Sequence, residues 1–435
     1  MAVEEEELVA IIPSKRSVTN AKKKVKPEAS RKGEPSFFMT EGMKRLSTPW
    51  SVASIRAGQI DPLSLPAGVI LDVAAGSGIQ LIAFSKILKR PALGIELDES
   101  VAKLCAANMQ LNSEGEVQRS LDRVLVGDGR SADSAIETYW ASLRDAGTRA
   151  HPPIAMLHID PARPRDAQKH SLDEMEPDIK TVLKAWSSHL QAGPMGPAVL
   201  LDLSPRLDSV QKAMIDGILE TTFPGASWTW EWLSRGGGRI DRLAVWVGSL
   251  SSKSSNRCIR VGRKNVIASI EGEGTGASVS TFGSVLEIPR GAYLTIVDPV
   301  LIESGLQNVW HDRAIGKGTG SSWVRTEGRR PMLIHTDEIS IDDEVQGFVV
   351  ATGRIVQHRL SAPELNTIDQ VASSVAKKGI SNITLRCSLN PETHPTLQRR
   401  ITRELKGVEG TKGFMVDMDV QRPAGAQKLY VVCKE

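Results

Sequence analysis

Only four cysteines occur in 435 residues, and Cys105, Cys258, Cys387 and Cys433 stand far apart. Their spacing makes neither a zinc-ligand set nor a disulfide framework. No metal site is expected, and a reducing cytoplasm is the expected compartment. Long apolar runs are also missing: none approaches the roughly 18 residues that a bilayer-spanning helix needs. Glu4 to Glu7 give the beginning of the chain an acidic stretch where a secretory leader would be basic and then apolar. No internal repeat is visible. No Gly-x-Gly-x-x-Gly occurs after the first strand-like run, since Leu81 holds the last position, which disfavours a dinucleotide enzyme.

What is present describes a globular chain. Hydrophobic residues make up 40% and charged residues 24%, enough for a sizeable core. The length suggests about two or three domains. The net charge of +3 is unevenly spread: residues 67–248 hold 19 Lys and Arg against 23 Asp and Glu, and residues 346–435 hold 13 against 8. An acidic middle and a basic end fit a polyanionic partner gripped by the end, and equally fit ordinary solvated surface.

The most informative segment is Val69-Ile-Leu-Asp-Val-Ala-Ala-Gly-Ser-Gly-Ile79. Its apolar run predicts a buried strand ending at Asp72, then a tight turn through Gly76 and Gly78, then a helix start. Such a turn brings backbone close to a ligand and offers free N–H groups. A second strand is expected over Ala92–Asp98, with Glu96 near its end, about 20–25 residues after Asp72, where nucleotide-binding folds place an acid for ribose hydroxyls. Val124–Gly129 reads as a third strand ending in Asp128, and Met156–Arg163 as a fourth carrying Asp160.

This order resembles the class I methyltransferases that use S-adenosylmethionine. The resemblance implies an α/β, Rossmann-like seven-stranded sheet. It implies that Asp72, Ala74 (where the family has a first glycine), Gly76 and Gly78 hold the methionine end of the cofactor, that Glu96 takes the ribose, and that Asp128 takes the adenine amino group. Asp160-Pro161-Ala162-Arg163 falls where nucleic-acid methyltransferases carry their chemistry. There a polar side chain and turn carbonyls meet an exocyclic amine or imino proton of a flipped-out base. Asp160, Pro161 and Arg163 are therefore the candidate catalytic residues. The stacking aromatic of the amino-group enzymes is absent after Pro161. The cysteine nucleophile of the carbon-5 pyrimidine enzymes is absent too, since the first cysteine after Arg163 is Cys258. Arg163 and Arg165 suit a phosphate or a structural ion pair with Asp160 or Asp166. His158 shares a strand face with Asp160 and reads as a buried, satisfied histidine. Trp228, Trp230 and Trp232 share another face and read as core more than as a base-stacking platform.

The joint order of Phe37-Phe-Met-Thr-Glu, Ser47-Thr-Pro, Val52-Ala53, Arg56-Ala57, Asp160-Pro-Ala-Arg163, Trp232-Leu-Ser-Arg-Gly-Gly, Tyr293-Leu and Asp298-Pro-Val-Leu-Ile-Glu-Ser-Gly-Leu306 is similar to that of a little-studied group. These are class I methyltransferases ending in a small α+β, THUMP-like domain. The chain departs from the group at Pro164, where a second arginine is usual, and at Gln80, where an acid is usual.

The expected organisation follows. Residues 1–34, rich in Lys, Glu, Ser and Pro, are a disordered basic tail. Residues 35–66 form a helical segment, with Thr40 as a cap and Pro49 opening a helix that buries Trp50, Ala53 and Ala57 against the sheet edge. Residues 67–248 are the cofactor domain, closed by a hairpin whose turn places Arg235 and Arg239 at the substrate mouth. Ser249–Ser255 is a linker within a β-rich connecting segment, 249–345. Residues 346–435 are the THUMP-like domain, with Lys377, Lys378, Arg399, Arg400 and Arg403 as candidate RNA contacts. The favoured reading is an RNA-base methyltransferase, tRNA being one class of target. The rivals are a methyltransferase for a small molecule or protein, and a non-catalytic RNA-binding protein.

Overall fold

The computed structural model describes residues 8–112, 120–162, 172–274, 291–316, 320–422 and 425–435. It divides into two compact units: Met1–Trp232 with Asp241–Ser255 and Val261–Val266, and Leu233–Ile240 with Asn256–Arg260 and Ile267–Glu435. It is a mixed α/β protein. No helix among the described residues is long and apolar enough to cross a membrane.

In the first unit, short β-rich apolar runs become buried strands: β1 Val9–Ile11, β2 Val69–Asp72, β3 Ala92–Glu96, β4 Arg123–Val126, β5 Ile154–Ile159, β6 Gly196–Leu203, β7 Trp228–Ser234, whose last two residues are counted with the second unit, and β8 Arg242–Gly248. Their spatial order is β1-β4-β3-β2-β5-β6-β8-β7. From β4 to β6 every pairing is parallel. Such strands are covered on both faces, which is why β2 and β5 are apolar runs with no exposed residue. Strand order reverses beside β2, and the crevice at such a switch point lies off the carboxyl ends of the strands. β8 lies antiparallel to β6, with β7 outside it.

The helices are α1 Lys15–Lys22, α2 Glu41–Leu46, α3 Trp50–Ala57, α4 Ile79–Leu88, α5 Glu99–Leu111, α6 Ala132–Asp145, α7 Ile179–Trp186 and α8 Ser209–Thr222. Thr40 caps α2 through its hydroxyl, and Pro49 precedes the first turn of α3. α3 does not sit at the sheet edge. Ala53 and Ala57 join Ile70, Phe84, Leu200 and Trp246 in one core, so α3 lies beside α4 over the sheet face.

The tail expectation is corrected for residues 8–34. β1 pairs antiparallel with β4, Val9 facing Val126, and α1 packs on α5. Ser14 caps α1, and Ala21 joins Phe38, Leu104 and Ala107 in a small cluster. Charge content hid a few apolar anchors in an otherwise solvated stretch. Ser249–Ser255 is not a free linker either: the Thr229 hydroxyl donates to the Ser254 carbonyl at 2.8 Å and accepts from the Ser252 N–H at 2.9 Å.

The second unit is built on a sheet of β9 Tyr293–Val297, β10 Ser321–Arg325, β11 Met332–His335, β12 Val349–Leu360, β13 Ile380–Leu385, β14 Thr411–Arg422 and β15 Gly425–Lys434, in the order β10-β11-β9-β12-β15-β14-β13. Only the β13–β14 pairing is parallel. Helices α9 Ile368–Ala376 and α10 His394–Glu404 share a core with Ile380, Ile383, Met415 and Val432. Phe414, Val416 and Val431 alternate to a second core with Leu294, Ile296, Met332 and Ile334. The boundary expected at 346 is therefore corrected: β9 pairs with β12 along its length, so the connecting segment and the C-terminal α+β element build one sheet.

Candidate functional site

The glycine turn is formed as its sequence demands. Gly78 has φ of +76° and caps α4, and Gly76 has φ of +52°, both in the left-handed region that L side chains rarely adopt. A Cβ on Gly78 would also stand 2.8 Å from Cys105 Sγ on α5. In front of Gly76 there is open room, with only the Ala74 carbonyl near, at 3.9 Å from a Cβ position. Asp72 Oδ1 accepts from the Ala74 N–H at 3.1 Å and holds the start of the turn.

Glu96 ends β3 directly beside this turn. Its Oε2 accepts from the Gly76 N–H at 2.9 Å and its Oε1 from the Asp98 N–H at 3.0 Å. Burial raises its pKa above the ordinary value, and those two N–H donors oppose the rise. Each oxygen keeps a further lone pair, so the carboxylate can still take two vicinal hydroxyls. Open backbone at Gly76 next to a carboxylate with spare lone pairs fits a nucleoside ribose. Asp128, after β4, is partly exposed, and the Arg130 guanidinium grips both its oxygens, which lowers its pKa.

Behind the turn lies a buried chain of charges. His158 on β5 is fully buried. Its Nδ1 lies 2.8 Å from Asp72 Oδ2 and its Nε2 lies 3.2 Å from Asp202 Oδ2, on β6. Burial alone would lower its pKa, but Asp72 and Asp202 outweigh it and raise the value to about 10. The imidazole is therefore a cation that donates at both nitrogens. Arg56 on α3, also fully buried, donates to Asp202 at 2.7 Å and to Gln80 Oε1 at 3.1 Å. Burial pushes the Asp202 carboxyl up, yet Arg56 and His158 prevail and hold it well below its ordinary range. Gln80 Nε2 then donates to Asp160 Oδ2 at 2.6 Å. Asp160, half-buried after β5, is raised to about 6, first by burial and then by Asp202, with Arg242 and His158 opposing.

Asp72, Ala74, Gly76, Gly78, Glu96 and Asp160 are thus brought together at the carboxyl ends of β2, β3 and β5. Pro161 follows Asp160, and Ala162 pairs with Glu176 through two backbone bonds. Arg163 and Arg165 lie outside the described residues. Arg235 and Arg239 are exposed and fall in the second unit. So do Lys377, Lys378, Arg399 and Arg403, all exposed, and Arg400, which pairs with Asp369 on α9. Trp228 and Trp230 both donate to Asp216 of α8, at 2.8 and 2.9 Å, which makes them packing residues beneath that helix.

Sequence reasoning missed Arg56 and Asp202 as site residues, and it missed Asn108. Asn108 on α5 is fully buried. It accepts from the Phe38 N–H at 2.6 Å and donates to the carbonyls of Phe38 and Ser77, so it ties the Phe37-Phe38-Met39 segment to the glycine turn. A polar residue in the middle of the Ala-rich face of α5 was the available signal. In the second unit two motif segments meet likewise: the Ser234 hydroxyl donates to buried Asp298 at 2.7 Å, and Arg260 lies 3.6 Å from the same carboxylate. Among the described residues, no group of three or more His, Cys, Asp and Glu could hold a metal.

No family model matches the sequence, and no curated protein matches it. Similar solved structures include the precorrin-6y C5,15-methyltransferase of Geobacter metallireducens, at 13% identity over 50% of this chain and 94% of that one, with a TM-score of 0.32. Another is an O-methyltransferase of Bacillus cereus in complex with SAH, at 15% identity over 55% of this chain and 93% of that one, TM-score 0.27. Human methyltransferase-like protein 13, also in complex with SAH, is 18% identical over 49% of this chain and 84% of its own, TM-score 0.27.

Proposed function

We propose that the chain is an S-adenosylmethionine-dependent methyltransferase acting on a base in RNA. The observation that carries the cofactor is the Glu96 carboxylate set one hydrogen bond from the open backbone of Gly76, at the switch point of a doubly wound sheet. Glu96 receives the ribose hydroxyls, the Gly76–Gly78 turn admits the amino-acid end, and the buried Asp72 fixes that turn. Asp128 reaches the adenine amino group once Arg130 yields it. Bound S-adenosylmethionine supplies an electrophilic methyl group, which the chain's own acids place against Asp160.

RNA as acceptor is supported by the basic surplus of residues 346–435 and by exposed Lys377, Lys378, Arg399 and Arg403 on or beside α9 and α10. A small-molecule or protein acceptor is the second reading, favoured by the acidic balance of residues 67–248. Calorimetry tests the cofactor: the wild type should bind S-adenosylmethionine, and Glu96→Ala should weaken binding by roughly 1–3 kcal/mol. Absence of binding at millimolar cofactor overturns the methyltransferase reading. Mass spectrometry of nucleosides in RNA from cells with and without the gene tests the acceptor, and identical profiles favour the second reading.

A further inference from the structure

We infer that Gln80, held by Arg56, is a positioning residue that fixes Asp160 as a proton acceptor, so that the group methylated is a nitrogen still bearing a hydrogen. The inference rests on the methyltransferase reading and narrows its substrate class. It follows from the direction of the bonds. A guanidinium only donates, so the Gln80 atom that faces Arg56 at 3.1 Å must be the carbonyl oxygen. The other end of the side chain is then the amide NH2, and it must donate to Asp160 Oδ2.

Nothing upstream lets this order reverse. Arg56 is clamped by Asp202 through contacts of 2.7 and 2.6 Å, and Asp202 is itself engaged by His158. The donors of the chain thus end on the carboxylates of Asp72, Asp202 and Asp160, with the Gln80 amide passing the direction from Arg56 to Asp160. Asp160 is its terminus, and its second carboxylate oxygen has no hydrogen-bond partner among the described residues. A carboxylate presented in this way attracts an N–H. As the nitrogen lone pair takes the methyl carbon, the carbon–sulfur pair stays on sulfur and the surplus nitrogen proton passes to Asp160 and then to water. The charged groups that face Asp160 are Asp202 and Asp72, which oppose its ionisation, and Arg242, His158 and Arg56, which favour it. That balance brings its proton affinity near neutrality, where a base is most effective. Gln80 adds a neutral donor to the balance, where an acid would add a third negative charge.

The test is pH-difference infrared spectroscopy on the full chain, which follows the Asp160 carboxyl, identified by its loss in Asp160→Asn, without any substrate. The wild type should show a carboxyl band titrating near pH 6, and Asp160→Asn should abolish it. Gln80→Leu should raise the midpoint by roughly one pH unit or more, because a donor to the ionised form is lost. Gln80→Glu, nearly isosteric, should raise it as well and serves if the leucine variant does not fold. Neither variant should change S-adenosylmethionine affinity by calorimetry. An unmoved midpoint, or a band that survives Asp160→Asn, overturns the inference. Failure of the wild type to bind the cofactor overturns the methyltransferase reading instead and leaves the titration interpretable by itself.

Discussion

At the scale of single residues, His158 joins two buried carboxylates, Asp72 and Asp202. Removing it leaves Asp72 without its cation and Asp202 with Arg56 alone, at a cost of roughly 3–5 kcal/mol. Its folded pKa of about 10 lies above the ordinary 6.5. The imidazolium therefore stabilises the fold fully below about pH 6.5, and that contribution is lost as pH rises through 10. Thermal melts from pH 6 to 10 should show a falling midpoint in the wild type and a lower, flatter profile in His158→Gln. Equal slopes would assign the loss to other groups. Gly78→Ala faces both a positive φ and the Cys105 sulfur, so it should cost at least about 1–2 kcal/mol and weaken cofactor binding, read by denaturant titration and calorimetry. Asn108→Ala leaves buried backbone groups of Phe38 and Ser77 unpaired, at roughly 1–3 kcal/mol each.

At the scale of elements, local patterns were legible and distant ones were not. The glycine turn and the acids at or just after the ends of β2 to β4 follow from apolar runs and turn residues within a dozen positions. Arg56 and Asp202 meet across 146 residues, and no local period announces such a pair. α3 read as a half-apolar helix, and its buried arginine broke the pattern that placed it at an edge. The N-terminal strand was hidden for another reason: β1 is three residues long, set in a charged segment. It covers the edge of β4, and Leu8 fills the space beside Gly127. Removing residues 1–14 should expose β4 and promote self-association, visible as higher-mass species in sedimentation. A purely monomeric product of unchanged Tm would deny β1 that role.

At the scale of the whole molecule, the second unit cannot be divided where composition changes. A chain cut at 345 would keep β9, β10 and β11 but lose β12, β13, β14 and β15, leaving Leu294 and Ile296 without half their core. It should aggregate or be digested back toward the first unit under limited proteolysis. The whole second unit, not its last 90 residues, is thus the part to test for RNA. Binding of the full chain to structured RNA should weaken by roughly tenfold or more from 50 to 200 mM salt if several phosphates are gripped. Salt-independent binding would point away from a polyanion.

The buried charges also set a timetable for synthesis. Arg56, Asp72, His158 and Asp202 sit on four separate stretches of chain, and the last is made long after the first. Until Asp202 leaves the ribosome, Arg56 has no counter-ion and His158 only one, and the nascent sheet would have to enclose unpaired charge. Ribosome-stalled chains should therefore stay protease-sensitive when they expose only the segments through β5, and become resistant once β6 has emerged.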